Sequence, residues 1–213
     1  MLKFHVHLWL APGMNIHRNP LCGRNFEYFS EDPVLSGICA YSEMKGVQSF
    51  PRLGVTLKHF FCNNNEDNRM FINEHINERP LREIYLRNFQ IPIELGEPYS
   101  IITSYNLVNG IYSANHRPVL HDVVHVEWEY EGVIMTDWCT SMEMAYTFSK
   151  PNPKYPISSS KECIRAGNEF QMQGCKENED DIIEGVEKGE VALEDLQACA
   201  VRILRCCYLC QKK

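Results

Sequence analysis

The feature that most constrains this chain is a repeated unit. A short apolar run ends abruptly in polar residues, and a helix-forming stretch follows. The runs are Phe4 to Leu10, Gly54 to Leu57, Tyr99 to Thr103 and Gly132 to Met135, with a weaker fifth between Ile164 and Met172. Runs of this length read as strands buried on both faces. Between them, Asp32 to Val47 reads as a helix. Asn73 to Leu95 reads as another, with Ile76, Leu81, Ile84, Tyr85 and Phe89 at near-helical steps. Pro80 kinks it or starts a second helix, and Gly96 and Pro98 end it. Asp180 to Arg205 reads as one or two helices breaking near Gly185 and Gly189, and Lys150 to Ser160 as a loop.

Strands alternating with helices imply a parallel sheet with crossover connections. Polar, reactive side chains follow every run: His17 and Arg18, then Lys58-His59, then Ser104-Tyr105-Asn106, then Thr136-Asp137-Trp138. That is the pattern of a (β/α)-barrel face, where function sits at strand C-termini. A doubly wound sheet uses the same ends, but no Gly-rich phosphate turn is present. The fold class expected is α/β, an incomplete TIM-type (β/α)8 barrel. A whole barrel has eight strands and about 250 residues, and only four or five runs occur here. Residues 1–213 are therefore expected to form a single partial barrel domain without its opening strands.

The net charge of −7 and scattered basic residues argue against a nucleic-acid partner. No apolar stretch approaches the roughly 18 residues of a membrane span. The opening ten residues are read as a buried strand, not a signal peptide, because histidines interrupt them and no small-residue cleavage site follows. On that reading a cytoplasmic compartment is favoured. Ten cysteines allow a disulfide framework, but they are spread singly through apolar segments and read as small buried hydrophobes. Cys206-Cys207-Tyr-Leu-Cys210 contains a zinc-type pair. No second pair has the spacing of a closed site, so a helix face is the preferred reading. No metal and no cofactor is expected.

One strand-end carboxylate, a Lys-His pair, arginines and aromatics together suit a sugar. Hydroxyls take hydrogen bonds from cations, ring faces stack on Trp or Tyr, and a carboxylate can attack the anomeric carbon. The residues alone leave alternatives open. Asp137 is also placed to cap the next helix. Lys58-His59 also fits a buried structural pair, and Arg24 a partner for Glu27 or Glu31. Arg69 equally suits Glu66 or Asp67, and Tyr105 suits ordinary core.

The longer motifs add a resemblance. Ala11-Pro-Gly-Met-Asn-Ile-His-Arg-Asn-Pro-Leu-Cys-Gly-Arg-Asn-Phe-Glu-Tyr-Phe-Ser-Glu-Asp-Pro33 closely resembles a signature of glycoside hydrolase family 3, in its β-glucosidase branch. So do Lys58-His-Phe-Phe-Cys-Asn-Asn-Asn-Glu-Asp-Asn-Arg69, Glu78-Arg-Pro-Leu-Arg-Glu-Ile-Tyr-Leu86, Ser104-Tyr-Asn-Leu-Val-Asn-Gly110 and Gly132-Val-Ile-Met-Thr-Asp-Trp138. They occur in family order over nearly the whole chain. The resemblance implies that Asp137 is the catalytic nucleophile of a retaining hydrolase of small β-glucosides or oligosaccharides. It implies that Arg24, Lys58, His59 and Arg69 hold sugar hydroxyls. Tyr105 then sits beside the nucleophile, and Trp138 lines the pocket. Nearby cations are expected to keep Asp137 ionised.

Three departures from the family pattern stand out. An earlier Asp-Gly-Pro motif has no counterpart. Nor does the α/β sandwich domain that supplies the acid/base glutamate in this branch, so Glu66, Glu143 and Glu169 are the substitute acids to consider. Finally, Ala-Gly-Asn-Asp-x-x-Met-Pro-Gly becomes Ala166-Gly-Asn-Glu-Phe-Gln-Met-Gln-Gly174. The alternatives are a sugar-binding remnant without turnover, or β-xylosidase-like specificity.

Overall fold

The structure is a computed structural model, and it describes residues 1–141, 150 and 154–211. Part of the loop expected at Lys150 to Ser160, and Glu143, lie outside the described residues. Four parallel strands form the main sheet: β1 (Leu8–Trp9), β2 (Gly54–Phe60), β4 (Ser100–Thr103) and β7 (Val133–Met135), in that spatial order. Helices connect them, as a (β/α)-barrel requires. The strand order follows the chain order, so each crossover returns to the next position along the arc.

Helix Pro33–Gln48 starts where its sequence says it should. The Asp32 carboxylate accepts from Val34 N and Leu35 N, each at 2.8 Å, with Pro33 at the first helical position. The next helix spans residues 78–96 and is wound as a π-helix from Leu81 to Leu86. It starts five residues later than the periodicity suggests. Asn73–Glu74 instead forms a strand, β3, and Pro80 sits in the first turn, where its missing N–H does no harm. A third connection, Pro118–Glu127, is also π-wound. Helices Ser160–Ala166, Lys176–Glu187 and Leu193–Gln211 complete the described chain.

The two faces of the sheet have different covers. Val55, Leu57, Ile101 and Ile134 pack outward against Leu86, Phe89, Leu120 and Val124 of the connecting helices. On the other face Ile102, Val133 and Met135 meet Ile203, Cys206 and Cys210 of the last helix. Cys206, Cys207 and Cys210 thus lie on one helix, and no cysteine pairs in a disulfide. Cys39 and Cys175 depart from the buried reading, being only half-buried. No helix among the described residues is long and apolar enough to cross a membrane.

Three expectations needed correction. The first run gives only two strand residues. Leu2–Phe4 turn instead, and Leu2, Phe4 and Val6 are exposed, so the opening residues are not a buried strand. The fifth run is not a strand either. Ile164 lies in a helix, Ser160–Ala166, that Gly167 stops at φ 77°, and among the described residues of this run only Phe170 bridges to Met135. Lastly, β3 belongs to a small second sheet with β5 (Leu107–Val108) and β6 (Ile111–Tyr112). The turn between β5 and β6 is Asn109-Gly110, with φ of 51° and 89°. Both values suit a type I′ turn, which Asn-Gly favours because its backbone twist matches the strands. We predict that Gly110→Ala lowers stability by about 1 kcal/mol, since a Cβ is strained at that φ. A urea midpoint identical to that of the unsubstituted chain would show the turn carries no such demand.

Candidate functional site

The C-terminal ends of the parallel strands open into one cavity of about 480 Å³. Arg24, Lys58, His59, Arg69, Tyr105, Asp137 and Trp138 all line it, together with Leu10, Met70, Ile102, Cys139 and Met172. Residues up to 162 positions apart, Leu10 to Met172, are gathered because most lie at the C-terminal end of a strand of the same arc or in the loop after it.

Asp137 follows β7 directly and is 7% exposed. Its Oδ1 accepts from Trp138 N at 2.8 Å, and its backbone carbonyl accepts from Thr140 Oγ1 at 2.8 Å. Its Oδ2 lies 3.8 Å from His59 Nε2. Burial pushes the carboxyl above the ordinary aspartate range, although the Trp138 amide, Arg24, Arg69 and Tyr105 pull the other way. The expectation that nearby cations would dominate is thus corrected: burial is the largest influence, and Arg24, Lys58 and Arg69 also have carboxylates of their own.

Those carboxylates are Glu27 and Glu66. The Glu27 carboxylate is bonded to Arg24 Nε and lies 3.3 Å from Lys58 Nζ. Burial pushes its pKa upward, but contact with Arg24 and Lys58 outweighs that and holds the carboxyl below its usual range. Arg69 donates to Glu66 Oε2 at 2.9 Å and lies 4.9 Å from the centre of the Tyr105 ring. The pairings weighed from sequence for Arg24 and Arg69 therefore exist, and the same arginines still face the cavity. The Tyr105 hydroxyl donates to the Trp138 carbonyl at 2.9 Å. Burial and the Asp137 charge push that phenol upward, so it stays protonated. Trp138 is 50% exposed while lining the cavity.

His59 is held from behind by residues the sequence reading missed. Asn15 Nδ2 donates to the His59 carbonyl, and His59 N donates to Asn15 Oδ1, both at 2.8 Å. Tyr28 OH lies 3.4 Å from His59 Nδ1, and Asn63 Nδ2 donates to that hydroxyl at 3.0 Å. Burial first, then Arg24, Lys58 and Arg69, push the imidazole well below its usual range, so the ring is neutral. Both Asn15 and Asn63 sit in the quoted motifs. Asn15, set between the apolar Met14 and Ile16, carried the available signal, because a buried amide needs partners, whereas Asn63 opens a run of three asparagines that gave none.

Glu169 turns away from the cavity to Ile134 N and Arg202. Among the described lining residues Asp137 is the only carboxylate.

Comparison with known proteins follows the same lines. Residues 1–206 match the family described as Glycosyl hydrolase family 3 N terminal domain. A β-glucosidase from Ruminococcus albus is 39% identical over 202 residues, which is 93% of this chain and 20% of that protein. An exo-alpha-(1->6)-L-arabinopyranosidase from Bifidobacterium breve is 47% identical over 133 residues, 62% of this chain and 17% of that protein. Among solved structures, β-glucosidase 3B from Thermotoga neapolitana in complex with glucose superposes with a TM-score of 0.83 at 40% identity. The match covers 96% of this chain and 27% of that one. The chain thus spans about a quarter or less of the length of these relatives. Matched over almost its full length, the chain belongs to glycosyl hydrolase family 3, in the N-terminal domain of that family.

Proposed function

We propose that this chain holds the nucleophile and the sugar-binding wall of a retaining β-glucosidase acting on terminal, non-reducing β-D-glucosyl residues. Asp137 attacks the anomeric carbon, and the glycosyl-enzyme is then hydrolysed by water. The carrying observation is the placement of Asp137. It is buried at a strand end, fixed by Trp138 N, and ringed by Arg24, Lys58, His59 and Arg69 in a cavity of about 480 Å³. Charge-assisted donors of this kind fix a hydroxylated ring and tighten as charge develops. A neighbour that binds glucose in its solved structure supports the same ligand class.

One observation favours a second reading, sugar binding with little turnover. Retention needs two carboxylates about 5–5.5 Å apart. Among the described residues the cavity has one, while Glu66 is paired with Arg69 and Glu169 faces elsewhere. Departure of a poor leaving group, which needs a proton, is therefore the slow step. The similarity to an arabinopyranosidase makes pentopyranosides, including xylosides, the rings to compare with glucose.

Incubation with 2,4-dinitrophenyl 2-deoxy-2-fluoro-β-D-glucoside tests this directly. Its leaving group departs without acid help, so mass spectrometry is expected to find one glycosyl adduct on Asp137. Absence of that adduct removes the nucleophile assignment. Dinitrophenyl β-glucoside is also expected to turn over far faster than cellobiose. Comparable rates would show that an acid is present after all.

A further inference from the structure

Strand β7 carries Asp137, and on its outer side its described partner is only the stretch from Glu169 to Met172. Glu169 N and Phe170 N both reach the Ile134 carbonyl, at 2.8 and 3.2 Å. Thr136 N donates to the Phe170 carbonyl at 2.9 Å, and Met172 N donates to Thr136 Oγ1 at 2.9 Å. One amide, Ile134 N, is taken by a side chain. It donates to Glu169 Oε2 at 2.6 Å. In a parallel ladder the next strand's carbonyl would accept there. The Glu169 carboxylate occupies that place.

The carboxylate is itself held. Its side chain is fully buried, with Arg202 NH1 of the last helix and His125 Nε2 each 3.0 Å from Oε1. His125 faces acceptors only, with Nδ1 2.8 Å from the Tyr130 carbonyl and Nε2 2.9 Å from the Gly167 carbonyl. Two donors from two elements, Ile134 N and Arg202, therefore converge, with the His125 ring beside them, on one carboxylate that is not among the residues lining the cavity. Met172, three residues further on, does line the cavity.

We propose that Glu169 is a positioning residue for Asp137: its carboxylate completes the β7 ladder three residues before the nucleophile and fixes where Asp137 and Met172 enter the cavity. This rests on the reading of Asp137 as nucleophile. The chemistry needs a carboxylate, not merely a polar group of that size. In Glu169→Gln one acceptor becomes an NH2, which must face Ile134 N or the Arg202 guanidinium. Either way a buried donor loses its partner. A shift of about 1 Å at a reacting group is enough for about a 100-fold loss of rate.

The experiment measures the labelling of Asp137 by the fluorinated glucoside as separate kinact and KI. Glu169→Gln is expected to lower kinact by about 10- to 100-fold while KI stays within about twofold, because sugar contacts are untouched. Glu169→Asp keeps the charge and is expected to fall between the two. If Glu169→Gln fails to fold by far-UV circular dichroism, Arg202→Leu replaces it, removing one holder from a half-exposed helix; its expected loss in kinact is smaller but in the same direction. Folded variants that label at the unsubstituted rate overturn the proposal. So does a proportional rise of KI with no change in kinact. An unsubstituted chain that acquires no adduct on Asp137 overturns the nucleophile reading and this proposal with it, whereas normal labelling with indifferent variants overturns this proposal alone.

Discussion

Asp137→Asn is expected to abolish glycosyl transfer, lowering the rate on an activated aryl β-glucoside by about 10⁴-fold or more, and to leave the fold at least as stable as before. The two halves have one cause. Asp137 is buried, and burial raises its pKa above the ordinary value. A carboxyl with a raised folded pKa binds its proton more tightly folded than unfolded. Its ionised form therefore costs stability, increasingly as pH rises through the window between the unfolded and the folded value. Asparagine removes that charge and keeps the bond from Trp138 N. The melting temperature near neutral pH should hold or rise while activity vanishes, a trade expected at functional sites. The same sign governs the pH profile. The nucleophile must be ionised, so the acid limb of labelling should fall at a milder pH than an ordinary aspartate would give. A variant that kept its activity would remove Asp137 from the chemistry, and one that melted far lower would make it a structural residue.

The second large effect is on stability. Phe60→Ala is expected to cost about 3–5 kcal/mol, against a total of about 5–15 kcal/mol for a domain. Phe60 is fully buried at the end of β2. Its ring meets Phe61 at 5.1 Å, Phe89 edge-on at 5.0 Å and Trp128 at 6.4 Å between centroids. It therefore joins the sheet to two connecting helices at the residue after His59. Truncation leaves a hole that close-packed neighbours fill only partly. Urea unfolding followed by tryptophan fluorescence would read it directly. A loss below about 1 kcal/mol would mean the surrounding rings collapse into the space with unusual ease.

How much of this was legible in the sequence depends on how local each signal was. The strands β4 and β7 were read close to where they stand, because short apolar runs opened by Tyr99 and Gly132 have few other fates, whereas β2, opened by Gly54, runs on past Leu57 through Lys58 and His59 to Phe60. Helix Pro33–Gln48 was legible from Asp32 and Pro33, whose capping chemistry acts within one turn. The opening run failed because its apolar residues have no neighbour to pair with beyond Leu8–Trp9. The hairpin at Asn109-Gly110 had a strong local signal in that dipeptide, but the strands beside it, Leu107–Val108 and Ile111–Tyr112, are too short to show an alternation of their own. The small strand Asn73–Glu74 had none, since it exists only by pairing with Leu107–Val108. The cavity residues came from motif resemblance. What no motif disclosed is the layer behind them, Asn15, Tyr28 and Asn63, whose role depends on contacts tens of residues apart.

The pairing of the cavity's cations has a consequence for how a molecule arrives. Glu27 answers both Arg24 and Lys58, and Glu66 answers Arg69. The long-range field of these groups is largely cancelled a few ångströms from the wall, while the same side chains still line the opening. On the proposed function, an approaching sugar meets short-range direction without long-range pull. Capture should therefore depend on fit rather than on steering, and the ionic strength of the medium should matter little to it.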